Sequence, residues 1–165
     1  MTTKQNYIKS IILIMSIALM ILSGCTRKID GSYILSLKEV KGYQVNYIQI
    51  TFYKVNNRID SPSITLSSKQ ERDQLHIQSF IDIIENSDEI EGKDEIAFSP
   101  PSQSSHRIVI TFDNEFVLEF YYSNDNNWLI WSNSSEQEGK KILQYYFLTP
   151  TSSMQEWLTA IESEA

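Results

Sequence analysis

Two histidines, one cysteine and twenty-one carboxylates are the side chains of this 165-residue sequence best suited to holding a metal or moving a proton. His76 has Glu71 and Asp73 close by, but not the His-x-x-x-His or His-Glu spacing with which one helix face grips zinc. His106 opens a run of alternating apolar residues with no second ligand in register, so both histidines are read as surface residues. None of the many serines sits in Gly-x-Ser-x-Gly, and five glycines leave little room for a phosphate-cradling loop. Glycoside chemistry needs two carboxylates across a bond. The best-placed acid, Glu119, alternates with apolar neighbours as any outward strand residue does. The acids from Asp88 to Glu95 lack the ligand order of a calcium loop, and Asn124 to Asn127 reads as a turn. No catalytic residue, metal ligand or cofactor is assigned.

Cys25 calls for a different chemistry. Lys4 and Lys9 precede a twelve-residue apolar stretch, Ile11 to Leu22, broken only by Ser16. That stretch is shorter than the roughly 20 residues a spanning helix needs. It closes on Leu22-Ser23-Gly24-Cys25. This layout resembles bacterial lipoprotein signal peptides, which end in a lipobox of Leu, Ser or Ala, Gly and Cys. The resemblance implies cleavage between Gly24 and Cys25 and a diacylglyceryl thioether on the Cys25 sulfur. Two acyl chains anchor a domain stably where one binds marginally. Residues 1–24 are then a cleaved signal peptide, 25–32 a lipidated cysteine and polar tether, and 33–165 a single domain on the outer face of the cytoplasmic membrane.

Residues 25–165 hold all 21 acids and 12 of the 14 basic residues, a formal charge of −9. Such a surface is repelled by phosphate backbones and anionic headgroups, which excludes nucleic acid as a partner class and leaves the lipid as the membrane contact. A chain of this size buries about two thirds of its unfolded surface in one core. With its only thiol taken up in that thioether, it has no disulfide to help.

Along the chain, Tyr33, Leu35 and Leu37 alternate as a weak strand. Ile48, Ile50 and Phe52 alternate more strongly, and Ser63 to Leu66 makes a short third strand. Ser68 and Glu71 have capping-box spacing ahead of a helix with Ile77, Phe80, Ile81 and Ile84 on one stripe, ending near Asn86. Acids around Gly92 and the Ser99-Pro100-Pro101-Ser102 stretch predict an exposed connection. Ile108, Ile110 and Phe112 face Phe116, Leu118 and Phe120 across a hairpin. A three-residue turn, Asp113-Asn114-Glu115, is required, because a two-residue turn would set Glu119 on the buried face. Trp128 to Trp131 and residues 141–148 add two strands. Ser153 and Glu156 cap a last helix carrying Met154, Trp157, Leu158 and Ile161. The expected fold is α+β, an antiparallel sheet with one central and one C-terminal helix packed on one face.

From about Ile64 onward, the Ser-capped Ile-rich helix, the strand at 108–112, the Asp-Asn turn and the Trp-Leu-Ile-Trp strand at 128–131 resemble small lipoproteins of low-GC Gram-positive bacteria, the YhfM-like domain family. The resemblance implies architecture and export and carries over no site residue. Tyr121, Tyr122, Trp128 and Trp131 are the candidate contact residues, since aromatic faces join apolar area to few rotors. One of the two tryptophans is expected in the core. The leading expectation is a non-catalytic binding or interaction module of the cell envelope. The second is a sensor or carrier of a small ligand, with a pocket between sheet and helices, and the third a weak wall hydrolase using Glu119.

Overall fold

A computed structural model describes residues 30–53, 62–90, 104–137, 140–150 and 154–164. Their elements are α1 (Gly31–Leu35), β1 (Val45–Phe52), β2 (Ser63–Ser67), α2 (Glu71–Glu85), β3 (Asp88–Glu89), β4 (His106–Phe112), β5 (Val117–Ser123), β6 (Trp128–Gln137), β7 (Lys140–Thr149) and α3 (Met154–Glu164). The strands form one seven-stranded sheet in the order β2-β1-β4-β5-β6-β7-β3, antiparallel throughout. This is the α+β class expected from the order of elements.

Period-two alternation sorts the side chains onto two faces. Ile48, Ile50, Ile108, Ile110, Leu118, Phe120, Leu129 and Leu148 share one face and belong to a single buried cluster. Ile77, Phe80, Ile83 and Ile84 of α2 complete it, with Met154, Trp157, Leu158 and Ile161 of α3. Phe80 is the joint. Its ring meets Phe120 edge-on at 5.9 Å between centroids and stacks on Trp157 at 4.7 Å. The Trp157 indole Nε1 donates to the His76 carbonyl oxygen at 2.9 Å, so the largest α3 side chain buries no free donor. The helical stripe is wider than Ile77-Phe80-Ile81-Ile84, with Ile83 buried and Ile81 at its margin.

The β4–β5 hairpin has the expected register. Ile110 faces Leu118 and Ile108 faces Phe120. Phe112 N–H donates to Phe116 O at 3.0 Å across the three-residue turn. Glu115 takes the left-handed conformation there, with φ 66°. Asn114 Oδ1 holds the turn by accepting from Phe116 N–H at 3.1 Å. β6 and β7 run longer than expected. β5 reaches along β6 only to Ser132, so Asn133–Gln137 pairs with Lys140–Gln144 as a two-stranded ribbon beyond β5.

Three local expectations are overturned. Residues 33–37 are not a strand. Gly31–Leu35 is a helical turn, because Asp30 Oδ1 accepts from Tyr33 N–H at 3.0 Å and from Ser32 Oγ at 2.5 Å, an N-cap that competes with extension. Ile34, not Leu35, is the fully buried residue. The Ser68–Glu71 capping box does not form either. Gln70 is the N-cap residue, Ser68 Oγ donates to Asn46 O at 2.9 Å, and Asp73 reaches back to accept from Ser67 N–H at 2.8 Å. Finally, Asp88 and Glu89 are not wholly loop. They pair with Thr149 and Leu148 as an edge strand. The rest of that acidic stretch, the Ser99–Ser102 segment and the Ser153 cap lie outside the described residues.

Gly31 is already packed into the fold, ahead of the alternation that begins at Tyr33. Gly31 N–H donates to Ser87 O at 2.6 Å, and an added Cβ would lie 1.1 Å from the Ile84 carbonyl oxygen. Only a residue without a side chain lets α1 pack against the end of α2. Gly31→Ala is expected to lower stability by at least about 2 kcal/mol, by forcing backbone apart in a packed region. A urea midpoint unchanged from the parent chain would disprove this contact.

Candidate functional site

The four candidate aromatics separate two and two. Tyr122 and Trp131 are core residues, 1% and 2% exposed, which removes them as contact residues. The Tyr122 hydroxyl donates to Asn127 Oδ1 at 3.0 Å, and Asn127 sits at φ 51° in the β5–β6 turn. Trp131 stacks on Tyr146 at 5.0 Å. Tyr121 and Trp128 point to the opposite face of the sheet, as strand alternation requires. There the Tyr121 hydroxyl donates to Glu119 Oε1 at 2.8 Å, and the Arg107 guanidinium grips the same oxygen. Burial, reinforced by the Glu119 carboxylate, pushes the Tyr121 phenol well above its ordinary range, so it stays a neutral donor. Trp128 meets Phe147 edge-on at 5.6 Å.

Glu119 is therefore a shared acceptor in an Arg107–Glu119–Tyr121 cluster, rather than one of two carboxylates across an opening. Among the described residues, three large apolar or aromatic side chains of this face are well exposed: Tyr47 at 37%, Val117 at 49% and Leu143 at 53%. Tyr47 and Val117 both flank Thr111 across adjacent strands, whereas Leu143 is on the distant β7. Among the described residues, these exposed positions do not form one continuous patch.

A concave surface lies on the helix side instead. A groove of about 490 Å³ runs beside α2, whose Gln74, Ile77, Gln78, Ile81 and Glu85 line one wall at helical spacing. The other wall is Leu35, Val40, Tyr43, Gln44 and Val45, with Phe112 of β4 and Ser68 also lining it. Gly42, at φ 86°, turns the 36–44 segment back towards β1, as a residue with a side chain rarely does. Apolar lining with a few polar groups is the usual composition of a ligand site. Gln74 Nε2 donates to Ser68 O at 3.0 Å and Gln78 Nε2 to Asp82 Oδ1 at 2.9 Å. Each amide nitrogen is thereby held, and each Oε1 remains an acceptor. Tyr43, 49% exposed, also lines an adjoining open cleft with Lys38, Glu39 and Asn114.

Sequence reasoning missed this groove because its outer wall has no periodicity. A signal did exist in α2, where Gln74 and Gln78 alternate with Ile77 and Ile81 on one helical strip.

The histidines are partly buried and each faces an acid. His76 Nε2 lies 3.1 Å from Glu164 Oε2, and His106 Nε2 lies 3.7 Å from Glu162 Oε1, with 17% and 14% of the two histidine side chains exposed. Both therefore meet carboxylates in the last turn of α3. Ser105 Oγ is 2.8 Å from His106 Nδ1, and the Phe52 ring packs edge-on at 5.0 Å. Burial lowers the His106 pKa below its ordinary 6.5, with Glu162 offsetting part of the effect. Among the described residues, no three His, Cys, Asp or Glu side chains are grouped to hold a metal ion.

No protein-family model matches this sequence, and comparison with curated proteins and with solved structures finds no significant match.

Two expectations follow. A histidine with a lowered folded-state pKa binds fewer protons than the unfolded chain as pH falls through 6.5, so its neutral form's stability contribution is lost on acidification. The urea midpoint should fall between pH 7 and pH 5, and His106→Gln should flatten that fall. An equally steep profile in the variant would rule out His106 as its source. Trp131→Ala should cost about 3–5 kcal/mol as a core truncation. Tyr121→Phe should cost no more than about 1.5 kcal/mol, the net value of one hydrogen bond. Denaturant unfolding of both variants checks the assignment of faces, and a reversed order would refute it.

Proposed function

We propose that this chain is a lipoprotein anchored through Cys25 on the outer face of the cytoplasmic membrane, and that its domain binds rather than catalyses. Support for the anchor is the Leu22-Ser23-Gly24-Cys25 lipobox at the end of a short apolar segment. The likeness to YhfM-like small lipoproteins points to the same compartment.

The observation that carries the binding function is the groove beside α2, with apolar residues between amide acceptors. Its partner is a small ligand or a short segment of an envelope protein with an uncharged, partly apolar surface. Among the described residues, Glu85 is the only acidic or basic side chain lining the groove, and a formal charge of −9 for residues 25–165 disfavours polyanions. The groove supports the small-ligand reading, and the opposite sheet face, which carries Tyr121 and Trp128, ranks second. That face remains the alternative docking surface because Tyr47 and Val117 reach solvent on it. The third reading, a wall hydrolase, has its acid Glu119 committed to Arg107 and Tyr121.

Photo-crosslinking in intact cells separates the two surfaces. A benzophenone side chain at Gln78 in the groove should give one discrete adduct, and the same group at Val117 should give none. Adducts only from Val117 would move the function to the sheet face. The anchor is tested separately, because Cys25→Ser should abolish incorporation of labelled fatty acid. Undiminished labelling in that variant would disprove the anchor.

A further inference from the structure

We propose that the groove beside α2 and the cleft adjoining it form one track, and that its occupant is an extended segment of another envelope protein. The inference rests on the binding function proposed for the groove and names the chemistry of what it binds. The groove holds about 490 Å³ and the cleft about 590 Å³, and Tyr43 lines both. Phe112 lines the groove and Phe116 the cleft, with their ring centroids 6.5 Å apart. Aromatic side chains therefore mark the junction, where apolar area with few rotors gives a partner its strongest hold. The backbone there is tied down. Asp113 N–H donates to Gln44 O at 2.9 Å, and Asn114 Nδ2 donates to Glu39 O at 2.9 Å. Both bonds join the 36–44 segment to the β4–β5 turn, so the outer wall of the groove and the cleft share one fixed frame.

The α2 wall says what kind of chain fits. Gln74 and Gln78 stand about 6 Å apart along the helix axis. Each offers its Oε1 as an acceptor, since its amide nitrogen is already bound. An extended chain rises about 3.3 Å per residue, so N–H groups on one of its edges recur about every 6.6 Å. Two alternate N–H groups of a segment laid beside α2 thus meet both acceptors. Ile77 and Ile81 repeat at the same interval and receive apolar side chains of that segment. From Gln74 to Glu85 the wall is about 16 Å long, room for about five extended residues. The cleft adds Lys38 and Glu39, groups of both signs that suit a polar continuation. A compact metabolite would fill one hollow and leave the other empty. The cleft is open to solvent, so a chain can leave the track there and continue.

The test adds a second photo-crosslinking position, in the full chain and in intact cells. Lys38 is exposed in the cleft. Benzophenone there and, in a separate variant, at Gln78 should capture the same protein, with both attachment sites in one short segment of it. Tyr43→Ala should lower both yields several-fold, and undiminished yields would overturn the aromatic junction. Different partners at the two positions, or an adduct from Gln78 alone, would overturn the joined track. A shared adduct of low mass would overturn the protein segment in favour of a metabolite. A synthetic peptide of the captured sequence should bind the detergent-solubilised chain. N-methylation of two alternate amides should weaken it about tenfold or more, the loss of two hydrogen bonds. Equal affinity after methylation would overturn the extended pose. Failure to capture anything at Gln78 would overturn the groove reading itself, a result distinct from capture at Gln78 without capture at Lys38.

Discussion

Contact between Phe80 and the two rings beside it, Phe120 from the sheet and Trp157 from α3, is the constraint on which the helix layer depends. Phe80 is fully buried, and aromatic pairs add about 0.5–1.5 kcal/mol beyond the area they cover. The geometry also gives direction. An edge-on contact to Phe120 and a stacked contact to Trp157 set α2 between the sheet and the terminal helix. The indole donor then reaches the His76 carbonyl on the same helix. Once α2 is fixed in this way, its flanks acquire their roles: one end receives Gly31, and one side forms a wall of the groove.

Polar groups are built into this layer with partners. Asp73 is 4% exposed, and its carboxylate accepts from Ser67 N–H while Arg72 approaches its other oxygen at 3.2 Å. Ser87 is fully buried and donates to Ile83 O at 2.6 Å, while its own carbonyl accepts from Gly31. The start of α2 is thus tied to β2 and its end to α1. An unpaired group at either place would cost about 1–3 kcal/mol, and this cost ties the correct docking of α1 and β2 to the position of the helix.

The sheet was legible in the sequence because its information is local. Alternation of Ile108, Ile110 and Phe112 against Leu118 and Phe120 admits one register, and Glu119 enforces it by needing the other face. The aromatic quartet was less legible. Period two separates Tyr121 from Tyr122 and Trp128 from Trp131, but only the position of the helices decides which of each pair is buried. The misread segments are those where a tertiary partner outweighs a local pattern. Tyr33, Leu35 and Leu37 alternate, yet no strand is available to them, and the Asp30 cap with the Ile84 contact makes helix the better state. Ser68 has capping-box spacing, but Asn46 O is a partner that spacing cannot reveal. The acid partners of the histidines were hidden for the same reason, since Glu162 and Glu164 follow them by at least 56 residues in sequence.

The groove and the close approach of Gly31 share one origin. The chain from Asp30 to Gln44 is too polar and irregular to form a strand, so it crosses one flank of α2 as a short helix followed by turns. Ile34 and Val40 are its buried anchors. Only those two points and the Gly31 contact draw it in fully. Between them Leu35, Tyr43 and Gln44 stand away from Ile77 and Ile81, and the separation is the groove. A second helix in place of this segment would have filled that space with interdigitated side chains. The segment that closes against the end of α2 through Gly31 is therefore also the wall of the concave surface, so the docking of α1 and the shape of the groove depend on the same fifteen residues.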